Sequence, residues 1–371
     1  MTGFRPVCLV LLFLPLACKP GEGPDWDFSD KKPNEGKNDN LSSVNSEAPP
    51  GGFPGEDDLV APAPAPPADE SPDEPETGDK KICSSQGSGG LLENHVYDLK
   101  NPASFASLPD IATAPIVTGL SVPASADEGT ALPLIVSLHG ALENTAWMVL
   151  NYNLLGLSDR KNFILAEVEL RELRSPIKNW QFMGDPRGLS DYEYLHQLIT
   201  GLKASYNIDK RRVYLFGHSS GGMVAMNYAC HYPGIAAVAT DGAGYWKVNP
   251  ADPYPYRDVQ VLGNFCGYQF SVLSGLGEQD TDQGLYIARN YEYFRAWNQC
   301  AGESQPPLDP ALWPRVGTEK VPVRQWRGTD CQHAVRVEKW LAPGKGHLNE
   351  KTDLMPSVTD WFFQSSLTSC P

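Results

Sequence analysis

Short apolar runs alternate with longer amphipathic segments along the chain from about residue 130 onward. The runs "LPLIVSLHG", "KNFILAEVE" and "RRVYLFGHSS" are continuously apolar over strand length, which is typical of strands buried on both faces of a sheet. The segment 191–206 instead has apolar residues at a helical spacing: Tyr194, Leu195, Leu198, Ile199 and Leu202. This pattern predicts strands connected by a helix that covers the sheet.

The same alternation continues towards the end of the chain. The further predicted strands and helices are at 221–233, 235–244, 270–280, 284–300, 334–343 and 355–366. Apolar strands separated by helices predict an α/β fold with a mostly parallel central sheet and helices on both faces. Two earlier segments, at 93–99 and 115–124, are interpreted as leading antiparallel strands.

The stretch "GHSSGG" at 217–222 lies between a predicted strand and a predicted helix. Its first five residues fit the pattern G-x-S-x-G, with Ser219 at the centre. In a strained strand-to-helix turn the glycines keep neighbouring side chains away, and the serine hydroxyl is exposed at the carboxyl edge of the sheet. The pattern alone is weak, because glycine and serine are common. Its position between a predicted strand and a predicted helix favours a nucleophilic Ser219 over the alternative, a glycine-rich turn with only a packing role.

A nucleophilic serine needs hydrogen-bond donors for the oxyanion that its attack creates. The backbone N–H of Ser220, at the start of the helix, is predicted as one donor. The second is expected from the loop after "LPLIVSL". There Gly140 lets the backbone approach the substrate, and the N–H of Ala141 or a neighbour would point at the developing charge. His139 is expected to brace this loop rather than to transfer protons.

The base that activates the serine is expected after the last strand of the sheet. His347 in "APGKGHLNE" follows the predicted strand 334–343 and precedes the final helix, so it is the preferred base. His333 opens that strand and would lie at the opposite edge. His218 adjoins the nucleophile and cannot readily fold back onto its hydroxyl. The sequence therefore pairs Ser219 with His347.

The carboxylate that orients the histidine is expected in the loop after the preceding strand. "FSVLSGLGEQDTDQG" offers Glu278, Asp280 and Asp282 in that loop. Asp280 is the preferred acid and Asp282 is its main rival. Asp241, which follows "IAAVAT", is a third alternative, because some hydrolases use that position.

The first 81 residues differ in character from the rest. Residues 1–18 contain an apolar run shorter than the ~20 residues that span a bilayer, and "LPLAC", ending at Cys18, is typical of a lipoprotein signal whose cysteine is lipidated. An ordinary signal peptide is the alternative. Residues 19–81 are rich in Pro, Gly, Ser, Asn and acidic residues and predict a disordered, extended tether. Residues 82–371 are then a catalytic α/β domain, exported to the cell envelope as an outer-membrane lipoprotein or to the extracellular space.

Charge and cysteine content narrow the functional classes. The tether holds 16 acidic and 6 basic residues, so most of the net charge of −15 lies outside the predicted domain. The mildly acidic remainder argues against nucleic-acid binding, which needs a basic footprint. Six cysteines in an exported domain suggest three disulfides rather than a metal site, because no C-x-x-C pair or close Cys/His cluster occurs. No metal or other cofactor is expected.

With these residues assembled, the region from about 115 to 364 resembles the secreted esterases of the polyhydroxybutyrate depolymerase and feruloyl esterase group, an α/β-hydrolase family. The stretches that carry the resemblance are "PLIVSLHG", "NW" at 179–180, "YNIDKRRVYLFGHSSGGMVAMNYACHYPGIAAVA", "GEQDTD" and "GKGH". The resemblance implies a catalytic triad of Ser219, Asp280 and His347. It also implies the disulfides Cys230–Cys266 and Cys300–Cys331, which leaves Cys83–Cys370 as the third pair.

Three departures from the family pattern concern the substrate rather than the triad. "ALEN" stands where members commonly have Cys and Gln after "LHG", Leu348 and Asn349 stand where Trp-Pro commonly follows the histidine, and the acid loop lacks its usual apolar residue. The resemblance therefore implies no particular ester. Trp180 is a candidate for stacking on an aromatic acyl group or a polymer surface, ahead of Trp147 and Trp246, although tryptophan is more often part of a core.

Together these residues predict a serine ester hydrolase that acts through an acyl-enzyme. The resemblance implies a polyester such as polyhydroxybutyrate, or a feruloyl or acetyl ester of a polysaccharide, as the substrate. Contact with a membrane is expected only through a lipid on Cys18. A non-catalytic surface-anchored binding protein and a serine peptidase of the same fold are the alternatives.

Overall fold

In the part of the chain that the structure describes, ten strands form one sheet at the centre of the fold. The computed structural model describes residues 96–101, 116–170, 191–243, 266–280, 284–306, 315–316, 319–320, 322–347 and 354–371. All of these residues belong to one unit, which spans residues 59–371. The predicted signal at 1–18 and the predicted tether at 19–81 lie outside the described residues.

The described residues form strands and helices in alternation. The strands are β1 Val96–Asp98, β2 Ile116–Ser121, β3 Leu132–Leu138, β4 Ile164–Leu170, β5 Ile208–His218, β6 Ala237–Asp241, β7 Ser271–Gly277, β8 Gly302–Ser304, β9 Arg315–Val316, β10 Glu319–Lys320, β11 Arg324–Thr329 and β12 Val337–Ala342. The α-helices are α1 Thr145–Tyr152, α2 Leu154–Lys161, α3 Asp191–Ser205, α4 Ser220–His231, α5 Gly284–Trp297 and α6 Met355–Phe363. In this part of the chain, no helix has the length and apolar content that crossing a membrane requires.

The ten-stranded sheet has the order β1-β2-β4-β3-β5-β6-β7-β12-β11-β8, and β9 pairs separately with β10. From β4 to β12 the six neighbouring strands are parallel. β2 runs antiparallel to β4, and β11 runs antiparallel to both β12 and β8. Parallel strands share an orientation, so six carboxyl ends meet at one edge of the sheet, where α/β folds place their sites.

The predicted α/β fold with a mostly parallel sheet is confirmed. The interpretation of the two leading segments is correct in part. β2 is antiparallel to its neighbour β4, as expected, but β1 pairs with β2 in parallel. Residues 99–115 connect β1 to β2, and a connection of that length permits parallel pairing, whereas a tight hairpin would have enforced antiparallel pairing.

Alternate residues of the strands face two separate hydrophobic cores. In β3, Leu134, Val136 and Leu138 belong to the core that α3, α4 and α5 cover. Ile135 belongs to the core that α1, α2 and α6 cover. Successive side chains of a strand point to opposite faces, so one apolar strand supplies both cores. This explains why the predicted strands are continuously apolar rather than alternating.

Two of the disulfides that the resemblance implies are present. Cys230–Cys266 links the end of α4 to the segment before β7, and Cys300–Cys331 links the segment after α5 to the segment after β11. Cys370 is disulfide-bonded as well. Cys83, its expected partner, lies outside the described residues.

Candidate active site

Ser219 lies in a sharp turn between β5 and α4. Its φ of 49° and ψ of −123° lie outside the regions that non-glycine residues favour. Its N–H donates to the backbone carbonyl of Asp241 at 2.9 Å, and its own carbonyl accepts from the N–H groups of Gly222 and Met223. These bonds hold the strained turn from both sides and leave the half-buried side chain at the carboxyl edge of the sheet.

Gly221 lets α4 approach the end of β3 closely. A Cβ atom at this position would lie 2.2 Å from the carbonyl oxygen of Leu138 and 2.4 Å from that of His139. Both are backbone atoms, so no side-chain rotation could relieve the overlap. The glycine therefore allows the loop that carries Ala141 to pack against the start of α4 at Ser220.

His347 connects Ser219 to Asp280. Its Nε2 lies 3.0 Å from Ser219 Oγ, and its Nδ1 lies 2.7 Å from Asp280 Oδ2. The Asp280 side chain is buried, whereas that of His347 is 27% exposed. The three residues come from the carboxyl ends of three different strands, β5, β7 and β12. The structure thus brings together the serine, base and acid that the sequence prefers.

The surroundings of His347 favour its protonated form. The hydrogen bond to Asp280 raises the pKa of His347 above its ordinary value, and burial opposes this by a smaller amount. The negative charges of Asp280, Asp241 and Glu143 raise this pKa further. An imidazolium formed by proton transfer from Ser219 would therefore be stabilised where it forms.

The other carboxylates considered as the acid have different surroundings. Asp241 ends β6 and is buried, where it pairs with the Lys345 ammonium and accepts a hydrogen bond from the Tyr152 hydroxyl at 2.8 Å. Glu278 is exposed and pairs with Arg324. Asp282 lies outside the described residues.

His218, which the sequence sets aside as a base, has a buried contact with Glu143 close to the site that the sequence does not predict. Glu143 Oε2 accepts the Gly140 N–H at 2.6 Å, and its Oε1 lies 2.8 Å from His218 Nδ1. His218 Nε2 donates to the backbone carbonyl of His347 at 3.0 Å. The pair therefore connects the loop after β3 to the loop that carries His347. No local sequence pattern marks it, because Glu143 reads as an ordinary polar residue before a helix.

The two expected oxyanion donors lie at neighbouring strand ends. Ser220 is the first residue of α4, where backbone N–H groups have no acceptor within the helix and the helix dipole is positive. Ala141 follows Gly140, whose N–H is already used by Glu143. His139 is buried, and its Nδ1 lies 2.7 Å from the Gly140 carbonyl, so it contacts this loop.

The expected aromatic contacts are described only in part. Trp147, in α1, is half-buried and stacks on the His218 ring with 5.1 Å between ring centroids. Trp180 and Trp246 lie outside the described residues. Within the described ranges, no three or more His, Cys, Asp or Glu side chains are grouped so that they could hold a metal ion.

Proteins of known activity are similar to parts of this chain. Poly(3-hydroxyalkanoate) depolymerase C of Paucimonas lemoignei is 27% identical over 156 residues, which are 42% of this chain and 36% of that protein. A bifunctional acetylxylan esterase/xylanase of Neocallimastix patriciarum is 34% identical over 91 residues, 24% of this chain and 12% of that protein. The chain thus spans well under half the length of these curated relatives. Among solved structures, an acetyl xylan esterase from Aspergillus awamori is 18% identical with a TM-score of 0.47, over 67% of this chain and 94% of its own.

A family match covers more than half of the chain. Residues 135–353 match the alpha/beta hydrolase family. The matched region begins in β3 and extends past His347, so it includes the turn at Ser219 and the loop with Asp280. A serine in a strand-to-helix turn above a parallel sheet is the arrangement that this family is built around. The chain belongs to the alpha/beta hydrolase family.

Proposed function

We propose that this chain is a serine carboxylic-ester hydrolase that acts through an acyl-enzyme. The observation that carries the proposal is the continuous hydrogen-bond chain from Ser219 Oγ through His347 to Asp280. The strained turn at Ser219 supports it, because such turns are found where a nucleophile must be exposed. The ester hydrolases among the relatives support an ester as the substrate.

The reaction has two halves with the same proton carrier. Ser219 Oγ attacks the ester carbonyl carbon while its proton passes to His347 Nε2; the carbon–oxygen bond to the alcohol then breaks, and the alcohol leaves with that proton. In the second half His347 takes a proton from water, the hydroxide attacks the acyl carbon, and Ser219 leaves with the proton. Asp280 keeps the other proton of the ring on Nδ1, so that Nε2 can accept.

In both halves the carbonyl oxygen becomes an oxyanion. The proposed donors are the backbone N–H groups of Ala141 and Ser220. The positive end of α4 supports Ser220 in this role, and the use of the Gly140 N–H by Glu143 favours Ala141 as the donor from its loop.

Replacement of Ser219 tests the proposal directly. Ser219→Ala should lower kcat on a short-chain nitrophenyl ester by about 10⁴–10⁶-fold, because the attacking atom is lost. Ser304→Ala, in the outermost strand β8, is the matched control and should keep wild-type activity. A fluorophosphonate should label Ser219 in the wild-type protein. Wild-type activity in Ser219→Ala, or label on another residue, would overturn the assignment.

The proposed substrates are a polyhydroxybutyrate-like polyester or feruloyl and acetyl esters of a polysaccharide. The activities for which the relatives are named, polyester depolymerase and acetylxylan esterase, support these two classes. Trp180 is proposed to stack on the acyl group or on the polymer. Acid release from polyhydroxybutyrate granules and from feruloylated or acetylated xylan decides between them. Peptide hydrolysis without ester hydrolysis would indicate a peptidase, and ligand binding without fluorophosphonate labelling would indicate a binding protein.

We further propose that residues 1–18 direct export, that Cys18 carries a lipid, and that residues 19–81 tether the catalytic domain 82–371 to the outer membrane. The two disulfides support an oxidising compartment. Cys18→Ser should abolish fatty-acid labelling of the chain and move it from the membrane fraction to the soluble fraction. Labelling that persists in Cys18→Ser would contradict the anchor.

A further inference from the structure

Lys345 is a buried lysine two residues before His347. Its side chain is 1% exposed, and its ammonium contacts both carboxylate oxygens of Asp241. Lysine is almost never fully buried unless it is paired, because an ammonium without a partner is costly to remove from water. The Asp241 carboxylate therefore compensates the cost of burying the Lys345 ammonium.

Asp241 is hydrogen-bonded to the turn that carries Ser219. Its backbone carbonyl accepts the Ser219 N–H at 2.9 Å, and its carboxylate accepts the Tyr152 hydroxyl at 2.8 Å. Burial raises the pKa of Asp241, but the charges of Lys345 and His218, with hydrogen bonds from Lys345 and Tyr152, outweigh burial and bring it to about 2. These surroundings favour the carboxylate form of Asp241.

The backbone of Lys345 is hydrogen-bonded to the loop that carries Asp280. Its carbonyl accepts the Gln279 N–H at 2.9 Å, next to Asp280 in the chain. A Cβ atom at Gly277 would lie 2.1 Å from this carbonyl oxygen, so only glycine permits the approach. Lys345 therefore contacts the acid loop through its backbone, and its side chain contacts Asp241, whose backbone holds the serine turn. His347 follows two residues later.

We propose that the buried Lys345–Asp241 pair positions His347 against Ser219, and that Lys345 neutralises the second carboxylate beneath His347 so that Asp280 alone acts as its acid. The proposal rests on the ester hydrolysis proposed above. In this role Lys345 and Asp241 are positioning residues, since they act through the three loops and do not touch the substrate.

Several charged groups surround His347, and their combined charge influences its pKa. Asp280 faces it from the loop after β7, Asp241 from the end of β6 and Glu143 from the segment before α1. The His218 ring lies 5.3 Å from the His347 ring, measured between centroids. Lys345 offsets one of the three carboxylates. Removal of Lys345 alone should therefore favour protonated His347, and removal of Asp241 alone should disfavour it.

The test measures the acid limb of kcat/KM on a soluble ester, which reports the ionisation of His347 in the free enzyme. We expect Lys345→Met to move this limb to higher pH and Asp241→Asn to move it to lower pH. The double variant should fall between them. In Lys345→Met kcat should fall by about 10²-fold, since a displaced base costs roughly that much, with KM changed little. Lys100→Met, which removes an exposed ion pair with Asp159, is the matched control and should match the wild type.

The two single variants should shift the acid limb in opposite directions. A general loosening of the fold would instead shift the acid limb of both variants in the same direction, so the signs of the shifts distinguish the proposed role from a purely structural one. If Lys345→Met or Asp241→Asn fails to fold because one buried charge loses its partner, the neutral double variant still decides, since neutral replacements of a buried pair are often tolerated. Unshifted limbs with wild-type kcat in folded variants would overturn this inference alone. A wild-type protein that neither hydrolyses the ester nor takes fluorophosphonate on Ser219 would instead overturn the proposed function.

Discussion

At the scale of single residues, the candidate site depends on which side-chain atoms are in contact with each other. Asp280 follows β7 and Asp241 ends the neighbouring parallel strand β6, and the charges of both raise the pKa of His347. Only Asp280 meets His347 Nδ1, whereas Asp241 is occupied by Lys345 and Tyr152. The choice between the two acids is thus a matter of side-chain direction and of which carboxylate already has a cation.

The raised pKa of His347 leads to a prediction about pH. The acid limb of kcat/KM should lie above pH 6.5, the ordinary pKa of histidine, because only the neutral ring accepts the serine proton. The Asp280 hydrogen bond is the largest cause of the rise, so Asp280→Asn should move the limb to lower pH. It should also lower kcat by about 10⁴-fold, because the wrong tautomer is then favoured. Initial rates across pH measure both effects.

The control for this prediction is Asp159→Asn, which removes an exposed carboxylate that pairs with Lys100. Its limb and its kcat should equal those of the wild type. A limb in Asp280→Asn that does not move, or that moves to higher pH, would contradict the role given to Asp280.

At the scale of secondary-structure elements, α4 and the end of β3 must approach closely for the site to form. The turn at Ser219 carries the proposed nucleophile, and the loop at Ala141 carries a proposed donor. Gly221 is where the two elements meet. The position has no room for a side chain, so the approach is a property of both elements together.

Substitution of Gly221 should therefore separate the two elements. In Gly221→Ala the new methyl group would overlap backbone oxygens of Leu138 and His139, and we expect a loss of about 1–3 kcal/mol in the free energy of unfolding. We also expect kcat to fall more than binding weakens, because the oxyanion donors move apart. Urea unfolding and steady-state kinetics on a nitrophenyl ester measure the two effects.

The matched control is Gly201→Ala in α3, where an added Cβ meets nothing within 4 Å. In that helix alanine should stabilise the protein by about 0.5–1 kcal/mol, because glycine loses more backbone freedom on folding. If Gly221→Ala were as stable and as active as Gly201→Ala, the close approach would have no functional meaning.

At the scale of the whole catalytic unit, the sheet separates two cores, and disulfides tie surrounding segments to it. Cys230–Cys266 starts from the end of α4, and Cys230 is buried in the core. Cys300–Cys331 lies beside β8 and β11 at one edge of the sheet, and both cysteines are only partly buried. The second disulfide can therefore be removed with less damage to packing.

The double variant Cys300→Ala with Cys331→Ala should lower the free energy of unfolding by about 3 kcal/mol, because the unfolded chain regains the freedom of a loop with a sequence separation of 31. Thermal melting measures the loss. Activity well below the new Tm should be unchanged, since the disulfide does not contact the triad. An unchanged Tm would show that this crosslink does not stabilise the fold, and lost activity in folded protein would show a link to the site.

The sequence by itself determined the class of the fold and predicted the chemistry proposed for the candidate site. Continuously apolar strands cannot face water on either side, so they require a sheet covered by helices on both faces. The predicted helix at 221–233 and the strand before it place Ser219 in a turn, and the ends of the later strands place Asp280 and His347 near it. These are local patterns that depend on residues close together in the chain.

The tertiary structure decided what depends on residues far apart. Lys345, in a glycine-rich loop, looks like an exposed lysine in the sequence, and its burial against Asp241 arises only when β6 and β12 lie on either side of β7 in one sheet. The contact of Glu143 with His218 likewise joins segments from different strands. Burial and pairing of charge depend on the assembled sheet, because only there does a side chain lose its water and find its partner.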